Sequence, residues 1–270
     1  MAARGVENSL LRSVSLPDFH AVVQRSVSAA VPLTVGTAPL PLSRVLLPSA
    51  FYPRPNALLS KKNVDAFIFD LDGTLLSSLS AWDQAASNYL KTRGIALPPD
   101  LQAQVEKMSL LDGARLLKEQ YHLQESPQEL LAATIYPVGQ HYYHDIPAKA
   151  QVPLLLAYLH SQGIKMAVAT ASHADFARGA LERLGLMDYF EFIITCDEVG
   201  IGKTDPRVYE EARLRLGAEK ARTVVVEDAP HALKTAHDAG FKTIGVDEEY
   251  YRKQAEQIRK AADLFLNFDK

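Results

Sequence analysis

The chain reads as an α/β protein, a Rossmann-like doubly wound parallel sheet carrying an inserted all-helical cap. Three observations predict this. From residue 64 onward, short β-rich apolar runs alternate with amphipathic segments of helical length. A glycine stands where each of the four helical segments beyond residue 150 should stop. One long interval, 77–147, interrupts the alternation with helical pattern alone. Strands that read as continuous apolar runs are buried on both faces, so the helices between them must cover both sides of one parallel sheet.

The first strand is 64–70, Val-Asp-Ala-Phe-Ile-Phe-Asp, which ends in acids and enters a tight turn at Gly73. Helical stretches follow around 80–93, 99–121 and 126–144, with no convincing strand between them. The rhythm then resumes: helix 152–162, strand 165–169, helix 174–184, strand 192–195, helix 207–216, strand 223–226, helix 230–239, strand 242–246. Gly163, Gly185, Gly217 and Gly240 fall at the helix ends, as C-terminal glycine caps do. The expected organisation is an α/β core of residues 61–76 and 148–270, with a helical cap of 77–147 on two linkers.

Residues 1–60 differ. They carry two acids, Glu7 and Asp18, many serines, and prolines at 32, 39, 41, 48, 53 and 55 that leave no sustained period. Such a segment buries too little apolar surface to offset its ordering entropy, so a disordered N-terminal extension is expected. Its Arg- and Ser-rich, acid-poor composition also fits an organelle transit peptide. A start near Lys61 is a third reading.

Composition narrows the classes. With 47% hydrophobic and 23% charged residues and a formal charge of -3, the 270-residue chain has the make-up of a globular protein. It lacks the Lys/Arg blocks that would point to nucleic acid. No apolar run approaches the roughly 18–20 residues that span a bilayer. A lone cysteine, Cys196, suits a reducing compartment. A cytoplasmic monomer is expected, with an organelle as the alternative if residues 1–60 are a targeting segment.

Ligands of a doubly wound sheet bind at the carboxyl ends of its strands. The first strand ends in Asp70-Leu71-Asp72-Gly73-Thr74, the next in Thr170-Ala171-Ser172. Lys203 follows the third, and Glu227-Asp228 close the fourth. Acids, a hydroxyl and a lysine on one rim can hold a divalent cation and a phosphoryl group together. Gly202-Lys203-Thr204 does not make a nucleotide-binding loop, because that loop needs a glycine at position 197, which is Asp.

Asp70 to Thr74, preceded by Phe-Ile-Phe, resembles the first signature of the haloacid dehalogenase-like superfamily, the DxDGT phosphatase motif. Thr170, Lys203 and Glu227-Asp228 match its second, third and fourth motifs in order. The resemblance, to the β-phosphoglucomutase and phosphoglycolate phosphatase-like branch, runs from residue 64 to the C-terminus. It implies a magnesium-dependent phosphoric monoester hydrolase acting on a small phosphorylated sugar, polyol or acid. Asp70 would be the nucleophile that forms an aspartyl-phosphate, and Asp72 the acid–base group. Thr170 and Lys203 would balance charge on the transferring oxygens. Asp70, the Asp72 backbone carbonyl and Asp228 would hold Mg²⁺, with Glu227 behind them or as an alternative ligand.

The alternatives are a β-phosphoglucomutase-like mutase and, ranked last, an inactive binding module. Where the mutases carry a cap His and a cap Arg, this chain has Trp82 and Leu110, which argues for hydrolysis. Dehalogenation is disfavoured by the second acid, Asp72. Trp82, Lys107, Met108 and Ser109 from the cap, with Ser172 from the core, are the expected substrate-facing residues. Trp82 and Met108 fit the cap's own core equally well.

Overall fold

A computed structural model describes residues 62–269, except 84, 97, 99–100, 102–103 and 106–107. The proposed extension 1–60 and Lys107 therefore lie outside the described residues. The sheet has six strands, all parallel: β1 (Ala66–Phe69), β2 (Lys165–Thr170), β3 (Ile193–Thr195), β4 (Thr223–Glu227), β5 (Lys242–Val246) and β6 (Leu264–Leu266). Their spatial order is β3-β2-β1-β4-β5-β6.

Strand β1 is central, and its Ala-Phe-Ile-Phe is fully buried. Apolar side chains on both faces each contribute roughly 1.5–3 kcal/mol when removed from water. Phe69 pairs with Val168 on one side and Val226 on the other. This register brings the ends of β1, β2 and β4 to one edge of the sheet, and the acids that follow β1 and β4 emerge together.

The regular elements described in the interval after β1 are helices: α1 (Leu79–Asp83), α2 (Ala85–Lys91), α3 (Leu110–Tyr121), which starts well inside the expected 99–121, and α4 (Pro127–His144). Ser109 caps α3, and Ser126 forms a reciprocal capping box with Glu129 at α4. Leu90, Leu101 and Leu117 form the buried centre of this layer. Its two connections to the sheet run side by side, with Ser77 N–H bonded to the Pro147 carbonyl at 3.0 Å and Leu76 bridging Ala148. Just beyond them the buried Lys149 pairs with Glu248 at 2.5 Å and Asp269 at 2.9 Å.

Helices α5 (Val152–Ser161), α6 (Ala174–Arg183), α7 (Cys196–Val199), α8 (Arg207–Leu216), α9 (Pro230–Asp238) and α10 (Ala255–Ala261) complete the fold. Gly163, Gly185, Gly217 and Gly240 all have positive φ. Three short elements were not anticipated: α7, α10 and β6. None is long enough to carry a period. No helix among the described residues is long and apolar enough to cross a membrane.

Candidate active site

Asp70 stands immediately after β1, its N–H bonded to the Val226 carbonyl at 2.9 Å. Its carboxylate pairs with the Lys203 ammonium, which also donates to Glu227 Oε1 at 2.6 Å. Tyr209 donates to the same Glu227 oxygen at 3.0 Å, and the Ala229 N–H to Oε2 at 3.2 Å. All of these charges are buried. Burial first, then the Glu227 charge, push Asp70 up to about 8 against the pull of Lys203. Lys203 is raised because its two acids outweigh its desolvation. Glu227 thus spends its acceptors on holding the lysine, which leaves it a weaker cation ligand than its neighbour.

That neighbour, Asp228, is different. Its Oδ1 accepts from the Thr74 hydroxyl at 3.1 Å, while the buried Oδ2 has no hydrogen-bond partner. Gly73 turns away beneath it with φ 86°, and a Cβ there would lie 2.2 Å from Asp228 Oδ2. Only glycine allows the turn to pass so close. Burial, then the charges of Asp70 and Glu227, raise Asp228 well above the usual carboxylate range. Asp70, Glu227 and Asp228 can each offer an oxygen, all within 4.8 Å of one another. An orphaned buried carboxylate oxygen beside two further carboxylates is a hard, all-oxygen donor set, which fits Mg²⁺.

Asp72 faces the helical layer. Its Oδ1 accepts from Ser78 at 2.5 Å and from the Tyr142 hydroxyl, and its Oδ2 from Ser172. Trp82 Nε1 donates to the Tyr142 oxygen at 2.5 Å. Tyr142 is completely buried. Burial and then the Asp72 charge raise it well above the ordinary phenol range, so it stays protonated and donates. The sequence reading missed Tyr142. It lies 70 residues from Asp72 inside an ordinary helical pattern.

A cavity of about 220 Å³ runs from these groups into the helical layer. Asp70, Asp72, Lys203, Glu227 and Asp228 form one end, and Leu79, Met108, Leu110, Leu117, Leu131 and Ile135 much of the other. Trp82 and Ser172 line it as well, although the Trp82 N–H is engaged by Tyr142. Two expected residues stand off its wall. Ser109 is buried as the α3 cap, its hydroxyl donating to Asp112 Oδ2 at 2.9 Å. Thr170 is fully buried and accepts from the Ser172 N–H at 2.9 Å. Cys196 is buried nearby, its thiol pushed up to about 11 by desolvation, so it holds its proton.

Comparison with known proteins agrees with this geometry. Residues 67–246 match the family described as haloacid dehalogenase-like hydrolase. Hexitol phosphatase A of Escherichia coli (strain K12) is 30% identical over 185 residues, covering 67% of this chain and 82% of its own. Validoxylamine A 7'-phosphate phosphatase of Streptomyces hygroscopicus subsp. limoneus is 27% identical, over 66% of this chain and 84% of its own. In fold, the β-phosphoglucomutase of Clostridium difficile superposes with a TM-score of 0.64 at 20% identity, covering 76% of this chain and 92% of that one. The chain belongs to the haloacid dehalogenase-like hydrolase family and is one of its phosphatases.

Proposed function

We propose that this phosphatase hydrolyses a small phosphorylated metabolite with the aid of Mg²⁺, through an aspartyl-phosphate on Asp70. The observation that carries the reading is the convergence, at one end of a single cavity, of Asp70, its lysine partner, the orphaned Asp228 oxygen and the hydroxyl-caged Asp72. Asp70 attacks phosphorus in line, and the bond to the ester oxygen breaks as the Asp70–phosphorus bond forms. Asp72 delivers its proton to the departing oxygen. It then takes a proton from the water that attacks the same phosphorus and frees phosphate. Lys203 is the charge-balancing group of the transferring phosphoryl, with Glu227 keeping the lysine in place, while Thr170, off the cavity wall, holds the Ser172 backbone. Asp70, Asp228 and the Asp72 backbone would hold the cation, which supplies charge neutralisation between the two anions.

The cavity's far wall is mostly apolar. Trp82, Met108 and Leu110 therefore meet the body of the ester, with Ser172 at the rim. Lys107 and the assignment of residues 77–147 as a separate cap belong to the same proposal, whereas Ser109, buried as the α3 cap, does not line the cavity.

The test is phosphate release from a panel of sugar, polyol, acid and aryl phosphates with Mg²⁺. Asp70→Asn should lower turnover by at least about 10²-fold while the protein stays folded, because an amide cannot attack phosphorus. Chelation should abolish wild-type activity, and Mg²⁺ should restore it. A substantially active Asp70→Asn enzyme would overturn the mechanism.

A further inference from the structure

We infer that Tyr142 is a positioning residue for the acid–base group: its hydroxyl, backed by the Trp82 N–H, orients the Asp72 carboxylate towards the leaving group. The inference rests on the phosphatase reading above and goes beyond it, because Tyr142 belongs to none of the four sequence motifs.

The geometry is a directed chain. Trp82 Nε1 donates to the Tyr142 oxygen at 2.5 Å, and the Tyr142 hydroxyl donates to Asp72 Oδ1. A donor whose own oxygen accepts a hydrogen bond is polarised and binds its acceptor more strongly. Ser172 holds the other Asp72 oxygen, and Ser78 shares Oδ1 at 2.5 Å. A carboxylate gripped at both oxygens from separate elements has one rotamer open to it. Serine hydroxyls rotate freely, whereas the phenol is fixed by its ring.

The ring is held by the core. Tyr142 lies in the last turn of α4, a helix of the inserted layer, yet its ring stacks on Phe176 of α6 at 5.7 Å. The neighbouring Tyr143 packs edge-on to Phe176 at 6.0 Å. Arg183, also from α6, donates to the Tyr142 carbonyl at 3.1 Å and to the Ile146 carbonyl. A Cβ on Gly139 or on Gly179 would lie within 2.4 Å of the Phe176 or Tyr143 ring, so each glycine makes room for a ring of the facing helix. The end of α4 is thus part of the core's packing, and Asp72 is oriented by a group fixed relative to Asp70.

Proton donation matters in proportion to how poor the leaving group is. Phenyl phosphate and p-nitrophenyl phosphate have nearly the same shape, but phenolate, with a parent pKa near 10 like tyrosine, needs the proton far more than nitrophenolate. Tyr142→Phe keeps the ring stack and removes only the hydroxyl. We expect kcat/KM for phenyl phosphate to fall about tenfold, with a change of less than about threefold for p-nitrophenyl phosphate and little change in either KM. Equal losses on both esters, no loss on either, or faster phenyl phosphate turnover would each overturn the inference. If Tyr142→Phe does not fold, Trp82→Phe removes the backing N–H instead. It should shift the ratio of the two esters in the same direction by about two- to threefold, and an unchanged ratio overturns the inference. Wild-type protein that hydrolyses neither ester defeats the phosphatase reading itself, whereas an active wild type with unaltered variant ratios defeats only the role of Tyr142.

Discussion

At Asp228, one oxygen without a partner separates two roles that adjacent carboxylates could otherwise share. Glu227 is saturated by Lys203, Tyr209 and a backbone N–H, while Asp228 keeps a buried oxygen free over a glycine turn. Without a cation, the folded state holds protons on Asp70 and Asp228 that the unfolded chain releases near pH 4. The folded state therefore binds more protons above that point. Its stability is full below the unfolded value and declines as pH rises through the raised one, about 8 for Asp70. A cation replaces those protons, so its stabilisation should grow with pH. Thermal melts should show Mg²⁺ raising Tm clearly at pH 8 and much less at pH 5.5. At a hundredfold excess over Kd the gain is about 2.7 kcal/mol. Asp228→Asn should remove most of the pH 8 shift. A wild-type melt indifferent to Mg²⁺ at pH 8 would show that the cluster is not a cation site. The acids behind this argument could be read from sequence, since each follows an apolar strand directly. Tyr142 could not, because its partner is distant and its own helix pattern requires nothing of its hydroxyl.

Between elements, the α4–α6 contact decides where the inserted layer meets the sheet domain. The segments around Ser77 and Pro147 run side by side. The last turns of α4, however, already pack on α6 before the second linker begins, through Tyr142, Tyr143, Phe176 and two close-packed glycines. Gly179→Ala tests this. Its new methyl would sit 2.3 Å from Tyr143 Cε1, and the ring must shift out of its packing against Phe176. Overpacking of this kind typically costs about 1–3 kcal/mol, so denaturant melts should show a lower midpoint at unchanged slope. Sequence pattern located most helices and strands near their observed bounds because each has a buried stripe and a stop signal. It missed β6 and the two short helices because three to seven residues cannot display a period. It also could not foresee that Gly139 and Gly179 face rings from another element. A glycine within a helix carries no mark of what lies opposite.

For the molecule as a whole, the cavity's composition bears on hydrolysis against phosphate transfer within a sugar. A mutase must grip a second phosphate at the far end of its pocket, which calls for cationic side chains there. Here Leu110 lines that end, Trp82 has turned its N–H to Tyr142, and among the described residues the cavity's lysine, Lys203, is committed to Asp70 and Glu227. An apolar far wall discriminates against a bisphosphate, because one of its charged groups would be desolvated without a partner. The fold likeness to β-phosphoglucomutase therefore concerns the scaffold, and the lining of the pocket points to water as the acceptor. With β-glucose 1-phosphate and a glucose bisphosphate primer, this enzyme should release free phosphate and form no appreciable glucose 6-phosphate, read by a coupled dehydrogenase assay. Introducing a cation at the far wall, as Leu110→Arg, should tighten inhibition by the bisphosphate while lowering turnover of phosphate esters with an uncharged aryl group, such as phenyl phosphate. Were the isomer instead the main product of the wild type, the apolar wall would not be what selects the acceptor, and hydrolysis would be the side reaction.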